Sequence, residues 1–358
     1  MADTLLNKKK IKEKKIKSRL KKYSVFFNND IKNIIRNFPK DCVVVVDKNV
    51  KNYFPKNKKF IYLKGSEDLK SFEKLNIVIK KLLKLNITKS TTLIAIGGGT
   101  VQDACSFISS ILFRGIKWIF IPTTLLSQCD SCIGGKTSIN FYGIKNQVGN
   151  FYPPNKIYIN LNFIRNQSKK NLLSGLGEMS HYYFLSSKQN FHFFDMQISK
   201  ALNYDIHSLN HLVYGSLNIK KKYIEKDEFD TSERLILNYG HSFGHAIERA
   251  SNYSIPHGIA VANGMKISNF ISYKKKFIHS KEYLKMKKTL NKITHNRDLS
   301  KLKAKDIVKG LEKDKKNNKN SIRVILTKGI GKMFIYSINR SKKNVLKNLI
   351  TTYLKEVS

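Results

Sequence analysis

Apolar and polar positions follow two distinct rhythms in the first half of the chain. CVVVVD (Cys42 to Asp47) is a continuous apolar run of strand length, and FIYL (Phe60 to Leu63) is a second. FEKLNIVIKKLLKLN, starting at Phe72, spaces its apolar residues at helical intervals instead. TTLIAI leads into GGGT, and DACSFISSIL after it reads as a helix. WIFI (Trp118 to Ile121) is another strand, stopped by Pro122, and KIYINL from Lys156 reads as the last one. Strand and helix alternating in this order predict a mostly parallel sheet with helices packed on it. After about residue 165 helical patterns dominate, apart from one hairpin candidate, RVILTKGIGKMFIY, with Gly329 and Gly331 near its turn. Two adjacent prolines in FYPPNK (Phe151 to Lys156) mark the expected boundary. The expected organisation is a basic arm over residues 1–25, an α/β domain over 26–155 and a mostly α-helical domain over 156–358.

Composition narrows the function classes. The chain has 358 residues, 41% of them hydrophobic, which is enough to bury two cores. The longest apolar stretch, SFISSILFRGIKWIFIPTTLL, is broken by Arg114 and Lys117, so no membrane span is expected. The N-terminus lacks the apolar core of a signal peptide, and the expected location is the cytoplasm. A net charge of +42, from 67 basic and 25 acidic residues, invites a nucleic-acid reading. That reading is set aside, because the lysines spread along the whole chain and no nucleic-acid fold signature accompanies them. The same charge would draw in anionic substrates. The densest patch, LNKKKIKEKKIKSRLKK, ends at Lys22 and reads as a solvated helix or a frayed arm. Of the four cysteines, Cys129 and Cys132 form a CxxC with neither a second pair nor a thioredoxin-like context, so they read as small buried residues.

Four segments carry candidate chemistry. IAIGGGT (Ile94 to Thr100) runs from strand through glycines into a helix. Glycine admits close backbone approach, and a helix N-terminus offers free N–H groups to a pyrophosphate. Asp47, at a strand end, could accept from a ribose hydroxyl or simply cap a turn. The stretch from Ile121 to Pro154 sets Asp130, Lys136, Lys145 and Asn146 among glycines and hydroxyl residues, which suits a phosphorylated polyol. GHSFGHAIERASNYSIPHG (Gly240 to Gly258) holds His241, His245 and His257. His241 and His245 share a helix face, the spacing of a metal pair, whereas His257 follows Pro256. Glu178 stands in an apolar-aromatic context in SGLGEMSHYYF and needs a partner. One carboxylate with two imidazoles is a familiar catalytic metal set, so Glu178 and the histidines could share an ion.

Taken jointly and in order, GGGTVQDACSF, LFRGIKWIFIPTTLL, DSCIGGKTSIN, GIKNQVGNFYPP, GLGEM, LNYGHSFGHAIE and PHG resemble the 3-dehydroquinate synthase family of sugar-phosphate cyclases. The resemblance runs from about residue 40 to about residue 340. It implies an N-terminal NAD-binding α/β domain and a mostly α-helical C-terminal metal-binding domain, with the active site between them. The implied metal ligands are Glu178, His241 and His257, holding one divalent ion, zinc or cobalt. His245 matches a phosphate contact instead. Asp130, Lys136, Asn146, Lys220, Arg234 and Asn238 match substrate contacts, and Lys316 (or Lys315) matches a further phosphate-binding lysine. Arg114 matches an arginine that reaches the neighbouring subunit's substrate, which implies a homodimer. For NAD the matches are Asp47, Glu67, Lys70, Gly97, Gly98, Gly99, Asp103, Thr123, Thr124 and Lys145.

The implied reaction turns a seven-carbon acid sugar phosphate into 3-dehydroquinate and phosphate. It proceeds through transient oxidation by NAD, loss of phosphate, return of the hydride and an intramolecular aldol closure. Three positions depart from the family pattern. His181 replaces a lysine of the active site, Gln102 replaces a glycine, and Ile259 replaces the glutamate of HGEAV. The departures leave a related cyclase with another sugar-phosphate substrate as the alternative. A metal- and NAD-dependent polyol-phosphate dehydrogenase, and a basic binding protein on a cyclase scaffold, are the readings from other classes.

Overall fold

The computed structural model describes residues 12–54, 59–295, 298–312 and 320–357. The chain divides into two compact units, residues 1–166 and 167–358.

The first unit is built on a seven-stranded sheet. Its strands are β1 (Lys12–Ile16), β2 (Tyr23–Phe27), β3 (Cys42–Asp47), β4 (Phe60–Leu63), β5 (Thr92–Gly97), β6 (Trp118–Pro122) and β9 (Lys156–Ile159). They lie in the order β1-β2-β9-β6-β5-β3-β4. All pairings are parallel except β1 with β2. β3, β5 and β6 are the continuous apolar runs of the sequence and are buried on both faces, as parallel strands are. Val44, Val46, Ile94, Ile96, Ile119 and Ile121 share one core. Helices α1 (Ile31–Arg36), α2 (Phe72–Leu83) and α3 (Gly99–Ile111) connect the strands. A short hairpin, β7 (Ile139–Phe141) with β8 (Ile144–Val148), stands apart from the main sheet. The chain leaves β3 towards β4 on one side and returns through β5 to β6 on the other. A crevice therefore opens at the carboxyl ends of β3 and β5, the place where such sheets bind ligands.

Two expectations change here. Residues 12–16 form neither a helix nor a frayed arm. They alternate, with Lys14 and Ile16 buried, and pair along β2 as an edge strand, where lysines protect an exposed sheet edge. The division between units falls after Asn166 rather than at 155, because β9 hydrogen-bonds between β2 and β6 and so belongs to the first unit.

The second unit is mostly helical. Its helices are α4 (Lys169–Ser186), α5 (Lys188–Ala201), α6 (Ile206–Lys226), α7 (His241–Ala250), α8 (His257–Lys274), α9 (Ser280–Asn291), α10 (Ala304–Glu312) and α11 (Lys343–Val357). The expected hairpin is present as β10 (Ser321–Thr327) with β11 (Met333–Asn339). α8 is buried from Gly258 to Ser272 and packs against α4, α7, α9, α11 and β10, so it is the axis of this unit. Phe243, Ile247, Ile267, Phe270, Ile307 and Tyr353 belong to the core around it.

Candidate metal and cofactor sites

In the second unit, three helices bring the candidate ligands together. Glu178 lies in the middle of α4 and is 2% exposed. His241 opens α7 and His257 opens α8. Glycines beside these residues let the backbones meet. A Cβ on Gly177 or Gly258 would overlap the backbone of the other helix. Gly240, at φ +84°, makes the left-handed turn that delivers His241. The motifs GLGE, GH and HG thus act first on packing and only then on chemistry.

His241 Nε2 lies 3.2 Å from Glu178 Oε1, and His257 Nε2 lies 3.3 Å from Glu178 Oε2. The three ligand atoms fall within 4.8 Å of one another. A tetrahedral ion bound at roughly 2.0–2.1 Å would separate its ligands by about 3.3–3.4 Å, so the spacing fits. Glu178 Oε2 and His241 Nδ1 are buried and make no aligned hydrogen bond among the described residues. A buried carboxylate oxygen facing two imidazoles is the donor chemistry that a divalent cation completes. Burial alone would raise the Glu178 carboxyl; His241 and His257 hold it well below the usual carboxylate range. Burial alone would lower His257; Glu178 and Glu248 hold it well above the usual histidine value.

Glu248 was not singled out from the sequence, although it stands at helical spacing from His241 and His245. Its Oε2 lies 3.1 Å from His257 Nδ1, on the ring edge opposite Glu178. A carboxylate there fixes the tautomer and presents Nε2 as the lone pair. His245, Glu248 and His257 form a second close triple, but Glu248 approaches through Nδ1 and therefore supports His257 rather than competing for it. His245 shares the α7 face with His241, at a ring separation of 5.7 Å, and stacks 5.6 Å from His257. His181 is 1% exposed. It packs on Tyr182, with ring centres 3.9 Å apart, and its Nδ1 lies 3.8 Å from Glu178 Oε1.

Lys220 is buried on α6, and Arg234 and Asn238 sit on the 3-10 turn Glu233–Asn238 that packs on α4 and α6. Asp227, another residue the sequence did not flag, organises this loop. It accepts from the backbone N–H groups of Thr231, Ser232 and Arg234, at 3.0, 2.7 and 3.0 Å. Burial would raise the Asp227 carboxyl, and those donors hold it far below its usual value. Arg234 is 4% exposed, with Nη1 donating to the Glu228 carbonyl at 2.6 Å. Lys316 lies outside the described residues.

In the first unit, Asp47 and Gly97 end β3 and β5, and Thr123 and Thr124 directly follow β6. Asp47 ends β3, caps the following turn through Asn49 N–H at 3.0 Å and lies against Gly65. Gly97 and Gly98 are required by packing: an added Cβ would come within 2.6 Å of Val101 and 2.9 Å of Thr124. Gly99 is different, because its nearest neighbour would be Ser131 Oγ at 4.0 Å. Open space over a helix N-terminus with no side-chain cap fits a pyrophosphate. Thr123 and Thr124 follow β6, and Thr123 N–H donates to Gly97 O at 2.9 Å.

Lys70 joins the cofactor and substrate candidates. Its Nζ lies 2.7 Å from Asp103 Oδ2 and also donates to Asn146 Oδ1. Burial pushes the Asp103 carboxyl up against the pull of Lys70. Asn140, unremarked in the sequence, donates to Glu67 Oε1 at 2.8 Å and accepts from Asn146 N–H at 3.0 Å. The hairpin β7–β8, which carries Lys145 and Asn146, is thereby tied to the turn bearing Glu67 and Lys70. Lys136 bridges to Phe151. Asp130 lies in a π-helical turn, Ser127–Ser131. Arg114 is exposed at φ +59° just beyond α3. Cys129 and Cys132 form no disulfide among the described residues and are buried, as small core residues.

Comparisons with known proteins accord with both halves of this geometry. Residues 59–174 match the 3-dehydroquinate synthase N-terminal family and residues 175–317 its C-terminal counterpart. The 3-dehydroquinate synthase of Dictyoglomus thermophilum is 37% identical over 291 residues, 81% of either chain. That of Pelagibacter ubique is 33% identical over 353 residues, 92% of this chain and 96% of its own. A solved structure of 2-deoxy-scyllo-inosose synthase, complexed with carbaglucose-6-phosphate, NAD+ and Co2+, matches with a TM-score of 0.83 at 23% identity. It covers 95% of this chain and 99% of that one, a likeness of fold. With both domains matched in sequence, the chain belongs to the 3-dehydroquinate synthase family.

Proposed function

We propose that this protein converts 3-deoxy-arabino-heptulosonate 7-phosphate into 3-dehydroquinate and phosphate, a carbon–oxygen lyase reaction with no net redox change. The observation that carries this reading is the complete Glu178, His241 and His257 set in a chain that matches the family in both domains. Those three residues would hold one divalent ion, zinc or cobalt, which when bound acidifies a substrate hydroxyl. Asp47, Glu67, Lys70, Gly97 to Gly99, Asp103, Thr123, Thr124 and Lys145 would hold NAD, which supplies a transient hydride acceptor.

The chain's own groups do the rest. Lys136, His245, Asn146 and Lys316 neutralise the phosphate and ease its departure. Arg234, held rigid by its Glu228 contact, and Lys220 grip the carboxylate; a planar guanidinium suits that fork. Asp130 and Asn238 orient hydroxyls. The reading includes a homodimer in which Arg114 reaches the substrate phosphate of the second subunit. Exposed Ile111 and Phe113 beside Arg114 suit such an interface. Among the described residues no helix is long and apolar enough to cross a membrane.

The test is phosphate release from a panel of seven-carbon sugar phosphates, with and without a carboxylate, in the presence of NAD and zinc or cobalt. Release only from the acid phosphate, with no accumulation of free NADH, is the expected result. Stoichiometric NADH would make the protein a dehydrogenase. Preference for a substrate lacking the carboxylate would make it a related cyclase, the alternative that the His181 departure leaves open.

A further inference from the structure

The first turn of α3 departs from the family pattern at Gln102, and the structure gives that departure a partner. Gln102 is 4% exposed. Its Nε2 donates to the Ser131 carbonyl at 2.6 Å, and Ser131 Oγ donates back to Gln102 Oε1 at 2.6 Å. Both ends of one side-chain amide are thus closed onto a single residue. A glycine or alanine at position 102 could make neither bond.

Ser131 ends the π-helical turn Ser127–Ser131 and directly follows Asp130. A π turn is an unstable local choice, with one residue more per hydrogen bond than an α-helix, and it persists where surroundings hold it. Here Cys132 N–H reaches back to Ser127 O at 3.1 Å, and Thr124 and Ser127 bond each other's hydroxyls at 2.8 Å. Those contacts hold the start and span of the turn. The Ser131 side chain and carbonyl are held from outside it, by Gln102. The same turn of α3 also bears Gly99, 4.0 Å short of Ser131 Oγ at its notional Cβ, and Asp103, which holds Lys70 and through it Asn146.

We propose that Gln102 is a positioning residue for the substrate-binding segment: its two bonds to Ser131 fix the π turn that presents Asp130 to the sugar phosphate. A latch between the cofactor helix and the Asp130 turn would set substrate affinity without touching the substrate. The inference rests on the reading of Asp130 as a substrate contact.

The experiment compares Gln102→Ala, Ser131→Ala, the double variant, Ser131→Thr and Asp130→Asn. KM and kcat are measured for the acid sugar phosphate, and the Kd of NAD is measured separately by titration. Gln102→Ala and Ser131→Ala should each raise KM about tenfold and leave the Kd of NAD within about twofold, because the lost bonds lie on the substrate side. The double variant should be no worse than either single one, since both break the same latch. Ser131→Thr, which keeps the hydroxyl, should stay within about threefold of the wild type and guards against a folding artefact. Unchanged KM in both alanine variants, or equal losses of NAD and substrate affinity, overturns the latch. If Asp130→Asn raises KM and Gln102→Ala does not, Asp130 keeps its role and the latch alone fails. If Asp130→Asn leaves KM unchanged, the reading of Asp130 fails and takes the latch with it.

Discussion

At the residue scale, the candidate metal set depends on a group outside it. Glu248 approaches the outer nitrogen of His257 while Glu178 faces the inner one, so the imidazole is held between two carboxylates. Losing such a support typically weakens metal affinity by about 10–100-fold. Glu248→Gln should therefore lose its ion to a chelator at concentrations the wild type withstands, with helical content unchanged. His245→Ala gives the contrasting outcome: metal content near one ion per chain and a raised KM for the sugar phosphate. Metal analysis after graded chelator dialysis separates the two. An intact site in Glu248→Gln, or an empty one in His245→Ala, would reverse the assignment. Helix spacing alone offered the i, i+4 pair His241 and His245, and the structure sets His257, from a different helix, beside His241 as its partner in the candidate set. That partner comes close only because Gly177 and Gly258 let α4 and the start of α8 touch. Spacing along one segment carries no information about such a crossing, whereas the joint family motifs do.

At the element scale, what was legible followed burial. β3, β5 and β6 were readable because both faces are apolar, and β10–β11 because glycines punctuate two apolar runs. β7 and β8 were missed because they are short, largely exposed and lack a core-facing stripe. β1 was missed because its charges outvoted Ile16, its one fully buried apolar side chain. Removing residues 1–22 takes that strand away, so the truncated protein should lose a few kcal/mol at most, about 2–3 for the buried isoleucine. Its Tm should fall by about 5–10 °C in a thermal scan, and an unchanged Tm would mean that β1 adds nothing to the sheet. α8 holds the opposite case. Lys266 is 2% exposed, donates to Thr294 Oγ1 at 3.1 Å, and burial pushes its pKa from 10.5 down to about 8. Below pH 8 both folded and unfolded chains carry the proton, and the folded state bears the cost of the buried charge. Between about 8 and 10.5 the unfolded chain binds more protons than the folded one, so this residue's contribution to stability rises with pH. Lys266→Met should therefore raise Tm at pH 7 by about 3–6 °C, roughly 1–2 kcal/mol, with the advantage shrinking as pH climbs. A variant less stable than the wild type at pH 7 would mean that the Thr294 bond outweighs the desolvation.

At the scale of the whole molecule, the charge of +42 acts on stability and on turnover in opposite directions. Like charges spread over both units repel, which destabilises the compact state, and the same field pulls an anionic sugar phosphate towards the protein. Both effects act over the Debye length, about 10 Å at 0.1 M salt and about 3 Å at 1 M. Short contacts such as Lys70 to Asp103 at 2.7 Å lie inside that length at any of these concentrations and should change little. Raising the salt from 0.05 to 0.5 M (chloride of a monovalent cation) should then lower kcat/KM for the sugar phosphate by about three- to tenfold through a slower encounter. Over the same range Tm should rise by a few degrees as self-repulsion is screened. kcat at saturating substrate should stay nearly constant, because it does not include the encounter. The three readouts discriminate. If kcat and kcat/KM fall together, salt is disturbing the bound state, for example by competition at the phosphate-binding lysines. If Tm falls, the lysine-rich surface is stabilised by its ion pairs, such as Lys292 with Asp195 at 2.8 Å, more than it is strained by its net charge. A rise in Tm with a fall in kcat/KM alone is the outcome expected of a surface whose lysines attract substrate at a distance and contribute little once it is bound.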